Sequence, residues 1–274
     1  MTTVGLLHPG AMGAFLGGAL RAGGHRVLWA AAGRSAETRG RATDFTEVDD
    51  LAALVRGSEA ILSVCPPAYA LTVAADVAAL GFTGLYVDAN AVAPGTVARV
   101  AEVLPAGTVV DGAVIGGPST DDAVLHLCGE RAAEAADLFA PDVLTVRVLG
   151  GPLGSASALK ACYALTSKAV SALLLTARSA AVASGVGAEL LAEWDRTQPE
   201  LTGRTLTSAE RIGTKAWRFG PEMAEAAVYF RDSGVPEGFS VAAAEVFERL
   251  ADLRGRPGTD PSEVWCRIAP GHSS

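Results

Sequence analysis

Short apolar runs alternate with amphipathic stripes along roughly the first 150 residues of the chain. The runs have the length of buried strands, and the stripes have the period of helices packed on a sheet. They predict strands at residues 3–7, 26–30, 45–48, 60–65, 84–88, 108–112, 123–128 and 143–148, and helices at 11–21, 50–55, 69–80, 94–103 and 131–139. Alternation at this spacing favours a parallel sheet covered by helices, so the predicted fold class is α/β. The last strands lie closer together, which indicates that part of the sheet is antiparallel.

The pattern changes after a glycine-rich break at residues 150–154. Residues 156–184 contain neither glycine nor proline and Ser155 is a suitable N-cap, so we predict one helix at 155–184, about 43 Å long at 1.5 Å per residue. A helix this apolar has to be covered on several faces. Further helices fit residues 188–195, 208–218, 222–233 and 241–253, and the tail after Gly255 is predicted to be irregular with Trp265 as an anchor. The chain is thus expected to form two domains, 1–152 and 153–274, the second all-helical.

A glycine turn near the start of the chain indicates a dinucleotide site. Residues 4–13 read as a buried strand, a tight turn and the opening of a helix, where backbone N–H groups bind a pyrophosphate. Gly10 and Gly13 match the second and third glycines of G-x-G-x-x-G, and His8 replaces the first. We therefore predict a Rossmann domain over residues 1–152, whose cofactor turn comprises His8, Pro9, Gly10, Ala11, Met12 and Gly13. A glycine turn that binds nothing is the alternative.

The residues after the second predicted strand indicate which dinucleotide would bind. NAD sites usually place an acid about twenty residues after the glycine turn, where it accepts from the ribose 2′-hydroxyl. This chain has Arg34 and Ser35 there, and both can donate to a 2′-phosphate. The sequence favours NADP(H), with NAD(H) as the second choice. A solvated loop charge is the alternative interpretation of Arg34.

Four segments resemble a known family: Gly10–Gly13, Asp88–Asn90, Asp111–Gly117 and Gly154–Lys160. Together with the layout they resemble the β-hydroxyacid dehydrogenase superfamily, which includes 3-hydroxyisobutyrate and 6-phosphogluconate dehydrogenases and the imine reductases. The similarity is greatest to a branch with a 6-phosphogluconate dehydrogenase-like C-terminal domain of uncertain function. The resemblance implies an N-terminal Rossmann domain, a long interdomain helix and an all-helical C-terminal domain. It further implies an active site between the domains and a homodimer packed through the helical parts.

The catalytic lysine of that family corresponds to Lys160. Near the start of an apolar helix, burial and the helix dipole both lower the pKa of a lysine towards the range where it exchanges protons. Tyr163 and Ser167 share its helix face, so we expect Tyr163 to assist Lys160 and Ser167 to contact substrate. A lysine that extends from its helix to solvent is the alternative.

The remaining candidate residues for substrate and cofactor binding lie in turns at the ends of predicted strands. Gly116 and Gly117 could offer N–H groups to a substrate oxygen, and Asn90 could bind substrate or the nicotinamide amide. The run Cys65, Pro66 and Pro67 is expected to pack on the cofactor. Ordinary strand-ending turns are the alternative for each.

The chain also departs from the family pattern. Asn90 and Ile115 stand where hydroxyacid members carry serines, Ala164 replaces an asparagine, and Glu222 stands where an aspartate is usual. These losses argue against a small hydroxy acid such as 3-hydroxyisobutyrate. Ile115 and Tyr163 indicate a larger or less polar substrate pocket.

Composition narrows the possible partners and location. Twenty-two basic and 30 acidic residues give a net charge of −8, which argues against nucleic-acid or anionic-membrane binding. The cysteines are far apart, so we expect free thiols and no metal site: Cys65, Cys128, Cys162 and Cys266. We see no signal peptide and no uninterrupted apolar run of membrane-spanning length, and we expect a cytoplasmic protein.

The leading hypothesis is an NADP(H)-dependent oxidoreductase. It would transfer hydride between nicotinamide and a hydroxyl or carbonyl carbon of a small organic substrate resembling a hydroxy or keto acid, with Lys160 moving the proton. One alternative is imine reduction, although a protonated lysine would repel an iminium. Another is a non-catalytic dinucleotide sensor. A third is decarboxylating oxidation of a sugar acid phosphate, with Lys215, Arg218 and Arg211 forming a phosphate pocket.

Overall fold

The computed structural model describes residues 1–118, 122–256 and 258–270 of the chain. They divide into two compact parts, an N-terminal unit of residues 1–160 and a C-terminal unit that begins at Ala161. The domain boundary predicted from the sequence lies slightly earlier, between residues 152 and 153. The first turns of the long helix group with the N-terminal unit because Ser157 donates from its amide and its hydroxyl to Asp111 in the sheet.

The N-terminal unit is built on an eight-stranded sheet within the described residues, in the order β3-β2-β1-β4-β5-β6-β7-β8. Strands β1 to β6 are parallel, β7 runs antiparallel to β6, and β8 is parallel to β7. The strands are β1 Thr3–Leu7, β2 Arg26–Ala30, β3 Thr46–Val48, β4 Ala60–Ser63, β5 Leu85–Asp88, β6 Val109–Ile115, β7 Val124–Cys128 and β8 Thr145–Val148. The first six strands follow the doubly wound order 3-2-1-4-5-6 of dinucleotide-binding domains. The predicted α/β class and the antiparallel part of the sheet are confirmed.

Helices cover both faces of this sheet because successive strand residues point to opposite sides. Leu6, Leu62 and Val87 pack on one face, and Leu7, Ile61 and Tyr86 pack on the other. The helices are α1 Ala11–Ala22, α2 Ala36–Arg41, α3 Leu51–Gly57, α4 Ala70–Ala79, α5 Pro94–Val103 and α6 Ala132–Ala136, and a 3₁₀ turn spans Pro67–Tyr69. Helix α2 was not predicted, because its six residues bury no side chain and carry no apolar stripe.

The C-terminal unit is helical, as predicted, and closes around its own apolar core. Helix α7 (Ser155–Ala164) enters it, a π-helical turn follows at Leu165–Ala169, and α8 continues over Val170–Ala183. The unit then contains α9 Gly187–Thr197, α10 Glu200–Asp232, α11 Gly238–Glu248, a 3₁₀ turn Ala251–Leu253 and α12 Pro261–Ile268. The single helix predicted at 155–184 therefore contains a π turn, where the hydroxyls of Thr166 and Ser167 both donate to the Tyr163 carbonyl.

Two expectations for this unit were wrong. The helices predicted at 208–218 and 222–233 form one helix, α10, which runs through Pro221. An interior proline costs a helix about 3 kcal/mol, but Ala216 and Met223 on either side of it are buried in the same core. The tail predicted to be irregular forms α12, because Asp260 caps its first turn and Trp265 packs into the core.

The helical stretch Ser155–Ala183 is, among the described residues, long and apolar enough to cross a membrane by length and composition. Core helices of soluble proteins meet the same criterion. Within this stretch Lys168 forms an ion pair with Glu222 at 2.7 Å, and Leu175 is fully buried in the helical core. These contacts favour a core helix, and the cytoplasmic location stays a prediction.

Candidate functional site

The glycine turn lies at the carboxyl end of β1, next to the point where the strand order of the sheet reverses. His8 has a φ of 68°, a conformation that favours glycine, and the Gly10 amide donates to its carbonyl at 2.7 Å. His8 thus takes up the backbone shape that the first fingerprint glycine usually provides. This placement supplies the turn expected from the sequence despite the altered motif.

The two glycines of the turn differ in their surroundings: packing requires Gly13, whereas Gly10 faces open space. A Cβ on Gly13 would lie 2.5 Å from the His8 carbonyl oxygen, so only glycine lets the helix pack this closely on the turn. At Gly10, the N-cap of α1, a Cβ would meet none of the described atoms within 4 Å. The first turn contains no acidic side chain, and the helix dipole makes its N–H groups attractive to an anion. These residues fit the pyrophosphate of a dinucleotide, bound through Ala11, Met12 and Gly13.

Arg34 and His8 lie close together beside this turn. Burial, together with the charge of Arg34, lowers the pKa of His8 to about 4, so its imidazole is neutral at physiological pH. His8 Nδ1 and Arg34 Nε are both buried and have no hydrogen-bond partner among the described residues. Buried donors without partners are costly, and an anionic ligand would satisfy the guanidinium. Arg34 therefore fits the phosphate contact predicted for it.

The neighbouring basic and polar side chains are already engaged. Arg39 bonds to Glu47 at 3.1 Å and to the Ala31 carbonyl, and Arg41 pairs with Glu37. The Ser35 hydroxyl accepts from the Thr38 amide and caps α2. Arg41 also donates to the Pro9 carbonyl at 3.3 Å, which ties α2 to the glycine turn. Of these groups, Arg34 has the unsatisfied donor that a phosphate would need.

Polar side chains meet where β4, β5 and β6 are in register. Ser63 is paired with Asp88, and Asp88 with Asp111, and all three are completely buried. Asn90 follows β5 and is also buried; its side-chain oxygen accepts from the Cys65 amide at 2.5 Å, and its amide nitrogen donates to the Ser63 hydroxyl. The Asn90 side chain thus joins the ends of β4 and β5, and its predicted contact with substrate or nicotinamide is untested.

Asp111 anchors the start of α7. Its carboxylate accepts from the Ser157 amide at 2.9 Å and from the Ser157 hydroxyl at 2.7 Å, and the Cys128 thiol donates to it at 3.4 Å. Hydrogen bonds from three donors satisfy a buried carboxylate in its charged form. This arrangement positions the helix turn that leads to Lys160.

Asp88 lies in a less satisfied environment. One carboxylate oxygen accepts from the Asn90 amide at 3.0 Å, and the other is buried without a hydrogen-bond partner among the described residues. Burial, reinforced by the negative charge of Asp111, raises the pKa of Asp88 to about 7, while the Asn90 hydrogen bond and the charge of Lys160 act in the opposite direction. Asp88 therefore titrates near physiological pH.

Lys160 is partly buried and lies within electrostatic range of Asp88. Burial and the helix dipole favour the neutral amine. The carboxylate of Asp88 favours the ammonium. Tyr163 and Ser167 belong to the C-terminal unit, where Tyr163 is about half exposed and the Ser167 hydroxyl is bonded to the Tyr163 carbonyl.

The other predicted residues lie at strand ends of the N-terminal unit. Ile115 ends β6, and Gly116 follows with a φ of 100°, which its glycine identity allows. Gly117 is partly buried. Burial raises the pKa of the Cys65 thiol to about 12, so it is a protonated packing group and not a nucleophile. Pro66 precedes the 3₁₀ turn that Pro67 opens, and contact of either with a cofactor stays a prediction.

No structural or catalytic role was predicted from the sequence for Asp88, Asp111 and Ser157. The available signal was a carboxylate inside each of two otherwise apolar strands, since buried charges need partners. Among the described residues no group of three or more His, Cys, Asp or Glu side chains could hold a metal ion.

Comparison with known sequences gives two matches. A family model for a domain of unknown function, DUF1932, matches residues 181–250. An uncharacterized 28.5 kDa protein in the 7S RNA 5′ region of Methanothermus fervidus is 30% identical over 145 residues, which cover 53% of this chain and 57% of that protein. The match thus spans little more than half the length of the relative.

Solved structures match over nearly the whole chain. Conserved protein MTH1747, of unknown function and described as structurally similar to 3-hydroxyacid dehydrogenases, is 26% identical with a TM-score of 0.68, covering 92% of this chain and 97% of that one. Mycobacterium tuberculosis 3-hydroxyisobutyrate dehydrogenase with L-serine is 16% identical with a TM-score of 0.72 (98% and 99% covered). A reductive aminase from Aspergillus terreus, in complex with NADPH and ethyl levulinate, is 18% identical with a TM-score of 0.55 (96% and 98% covered).

These neighbours share the order of a doubly wound sheet domain followed by a helical domain. The match to DUF1932 lies within the helical C-terminal unit. The resemblance inferred from the sequence is therefore confirmed: the structural neighbours of this chain are 3-hydroxyisobutyrate dehydrogenase-like hydroxyacid dehydrogenases, and its C-terminal region carries the DUF1932 domain.

Proposed function

We propose that the protein is an NADP(H)-dependent oxidoreductase of the dehydrogenase type, acting on a hydroxyl or carbonyl carbon of a small organic substrate that resembles a hydroxy or keto acid. The observation that carries the proposal is the presence, in one unit, of an open glycine turn, an unsatisfied Arg34 donor beside it, and Lys160 near the carboxyl end of β5. In open parallel sheets, ligands bind at this edge. The likeness to proteins solved with NADPH and with L-serine adds support.

Residues of the protein would bind the cofactor, transfer the proton and orient the substrate. When bound, the nicotinamide would supply or accept the hydride. The amides of Ala11, Met12 and Gly13 would hold the pyrophosphate, and Arg34 would bind the additional phosphate. The Lys160 ammonium would donate its proton to the substrate oxygen during reduction, and the neutral amine would accept it during oxidation. Asn90, Gly116 and Gly117 would orient the substrate, with Tyr163 and Ser167 as further candidates.

Replacing Arg34 by alanine tests the cofactor assignment. Since a charge-assisted contact to phosphate contributes about 1.5–3 kcal/mol, we expect the Kd of NADPH to rise roughly 10- to 100-fold in Arg34→Ala while that of NADH changes little. Fluorescence titration of both nucleotides measures this. Arg39→Ala is the matched control, because Arg39 is paired with Glu47. Equal affinity of the wild-type protein for NADH and NADPH would contradict the assignment.

Imine reduction is the second candidate activity, and the likeness to a reductive aminase favours it. A panel of hydroxy acids, ketones, aldehydes and cyclic imines, each followed by NADPH absorbance, separates the two. If only the imines are reduced, the function is imine reduction and not carbonyl reduction. NADPH binding without turnover of any compound would favour a dinucleotide sensor.

The partner we propose is a second copy of the chain, bound through the helical unit. An apolar groove there is lined mainly by residues of the π turn, α8 and α11, and two of its lining residues, Leu173 and Phe239, are 61% and 69% exposed. Contiguous exposed apolar surface of this kind marks interaction sites. We expect light scattering to give a dimer for the wild type and a monomer for Leu173→Asp/Phe239→Asp. A monomeric wild-type protein would contradict the proposal.

A further inference from the structure

Asp88 is a buried ionisable group that the proposed chemistry does not use. It is completely inaccessible to solvent at the end of β5, and one of its oxygens has no hydrogen-bond partner among the described residues. An ionised carboxylate in such a place is costly unless a cation compensates it. Asp88 therefore needs a compensating cation nearby.

The groups around Asp88 narrow the choice of that cation. From β5 itself comes the phenol of Tyr86, and from the end of β4 the thiol of Cys65; burial raises the pKa of both, so both stay neutral. From β6 comes Asp111, whose negative charge opposes ionisation of Asp88. From α7 comes Lys160, which lies one helical turn after Ser157. Ser157 bonds to Asp111, and Asp111 is paired with Asp88 in the sheet, so this turn places the Lys160 ammonium where its charge favours ionisation of Asp88. Within the described part of the chain, Lys160 is thus the cation that compensates Asp88.

We propose that Asp88 is the positioning residue for Lys160: its buried carboxylate holds the Lys160 side chain at the edge of the sheet and keeps it in the ammonium form. Charge interactions are reciprocal, so the ammonium that stabilises the Asp88 anion is stabilised by it to the same degree. Asp88 does not touch the reacting atoms. The catalytic consequence, a proton donor kept charged for carbonyl reduction, rests on the proposed function, whereas the coupling between Asp88 and Lys160 does not.

Lysine NMR tests the coupling directly, because the chain contains three lysines, Lys160, Lys168 and Lys215. In protein labelled with ¹³C- and ¹⁵N-lysine, the Lys160 signal is assigned by its loss in Lys160→Arg, and each lysine is titrated with pH. We expect Asp88→Asn to lower the Lys160 midpoint by about one pH unit and to leave the other two lysines unchanged. Asp88→Glu, which keeps the charge, should restore much of the wild-type midpoint.

Asp76→Asn is the matched control, since Asp76 is exposed on α4. An unchanged Lys160 midpoint in folded Asp88→Asn would overturn the proposal. If Asp88→Asn does not fold, Asp88→Ser, which also removes the charge, takes its place, and an unchanged Lys160 midpoint in that folded variant would equally overturn the proposal.

The two proposals fail in distinguishable ways. Retained turnover in Lys160→Ala, combined with a shifted Lys160 midpoint in Asp88→Asn, would reject the catalytic function and keep the coupling. Lost turnover in Lys160→Ala with an unchanged midpoint in Asp88→Asn would keep the function and reject the role of Asp88.

Discussion

Lys160→Ala should lower kcat/KM for the best substrate of the panel by about 1,000-fold, because a positioned proton donor contributes roughly 10²- to 10⁴-fold to such reactions. Alanine cannot donate a proton, and water would have to replace the ammonium at the substrate oxygen. The Kd of NADPH should change by no more than about twofold, since the cofactor contacts we propose lie at the glycine turn and Arg34. Steady-state kinetics and fluorescence titration measure the two quantities.

Arg204→Ala is the matched control for this prediction. Arg204 is exposed on α10 and also carries a positive charge, so its loss should leave turnover unchanged. A rate for Lys160→Ala within a few-fold of the wild type would remove the catalytic assignment. A parallel loss of NADPH affinity would instead indicate that the substitution disturbs the cofactor site.

The sheet of the N-terminal unit could be predicted because its signal is local. Strands β1 and β2 and helix α5 have the predicted residues, since apolar runs bounded by turn residues specify a buried strand within a few positions. Strand β6 extends to Ile115 where we predicted an end at Gly112. Pairing of residues 113–115 with β7, the next strand along the chain, stabilises those extra positions.

The helical unit was harder to predict because tertiary contacts decide its element boundaries. Pro221 indicates a helix end in any single-sequence argument, yet α10 continues because the residues around it share one core. The same holds for α12, in which burial of Val264, Trp265 and Ile268 outweighs the proline- and glycine-rich composition of the tail. The helical signal was present but short: Asp260 before Pro261 is typical of a helix start, and the three buried residues recur at helical spacing within eight residues.

Some residues of the candidate site could likewise be predicted from local motifs, and others could not. The glycine turn and Arg34 follow from local motifs, and His8 could be interpreted because histidine tolerates a left-handed backbone better than most residues. The coupling of Asp88 to Lys160 is a contact between a strand end and a distant helix, so the sequence order does not reveal it. A buried carboxylate in an apolar strand indicates that a partner exists, without identifying it.

Asp88→Asn should also change how the stability of the N-terminal unit depends on pH. The pKa of Asp88 is about 7 in the folded protein, whereas an aspartate in an unfolded chain has a pKa of about 3.8. Between these values the folded state holds a proton that the unfolded state has lost, so the wild-type free energy of unfolding falls as the pH rises. At 1.36 kcal/mol for each unit of pKa, this fall amounts to at most about 4 kcal/mol.

Asparagine at position 88 does not ionise, so its side chain adds no such pH dependence. Relative to the wild type, Asp88→Asn should therefore gain up to about 4 kcal/mol in free energy of unfolding between pH 4 and pH 8. Urea titrations followed by ¹⁹F NMR of fluorotryptophan-labelled protein measure this, because Trp29 is the one tryptophan among residues 1–160 and reports on the N-terminal unit.

Subtracting the wild-type free energy of unfolding at each pH cancels the contribution of every other titrating group, because both proteins share those groups. The pH profile of one protein alone does not isolate the contribution of Asp88. Asp76→Asn, at an exposed position, should follow the wild type at each pH. If the free energy of unfolding of Asp88→Asn also changes with pH as that of the wild type does, Asp88 is ionised with an ordinary pKa in the folded protein. The charge it offers Lys160 would then be independent of pH in this range.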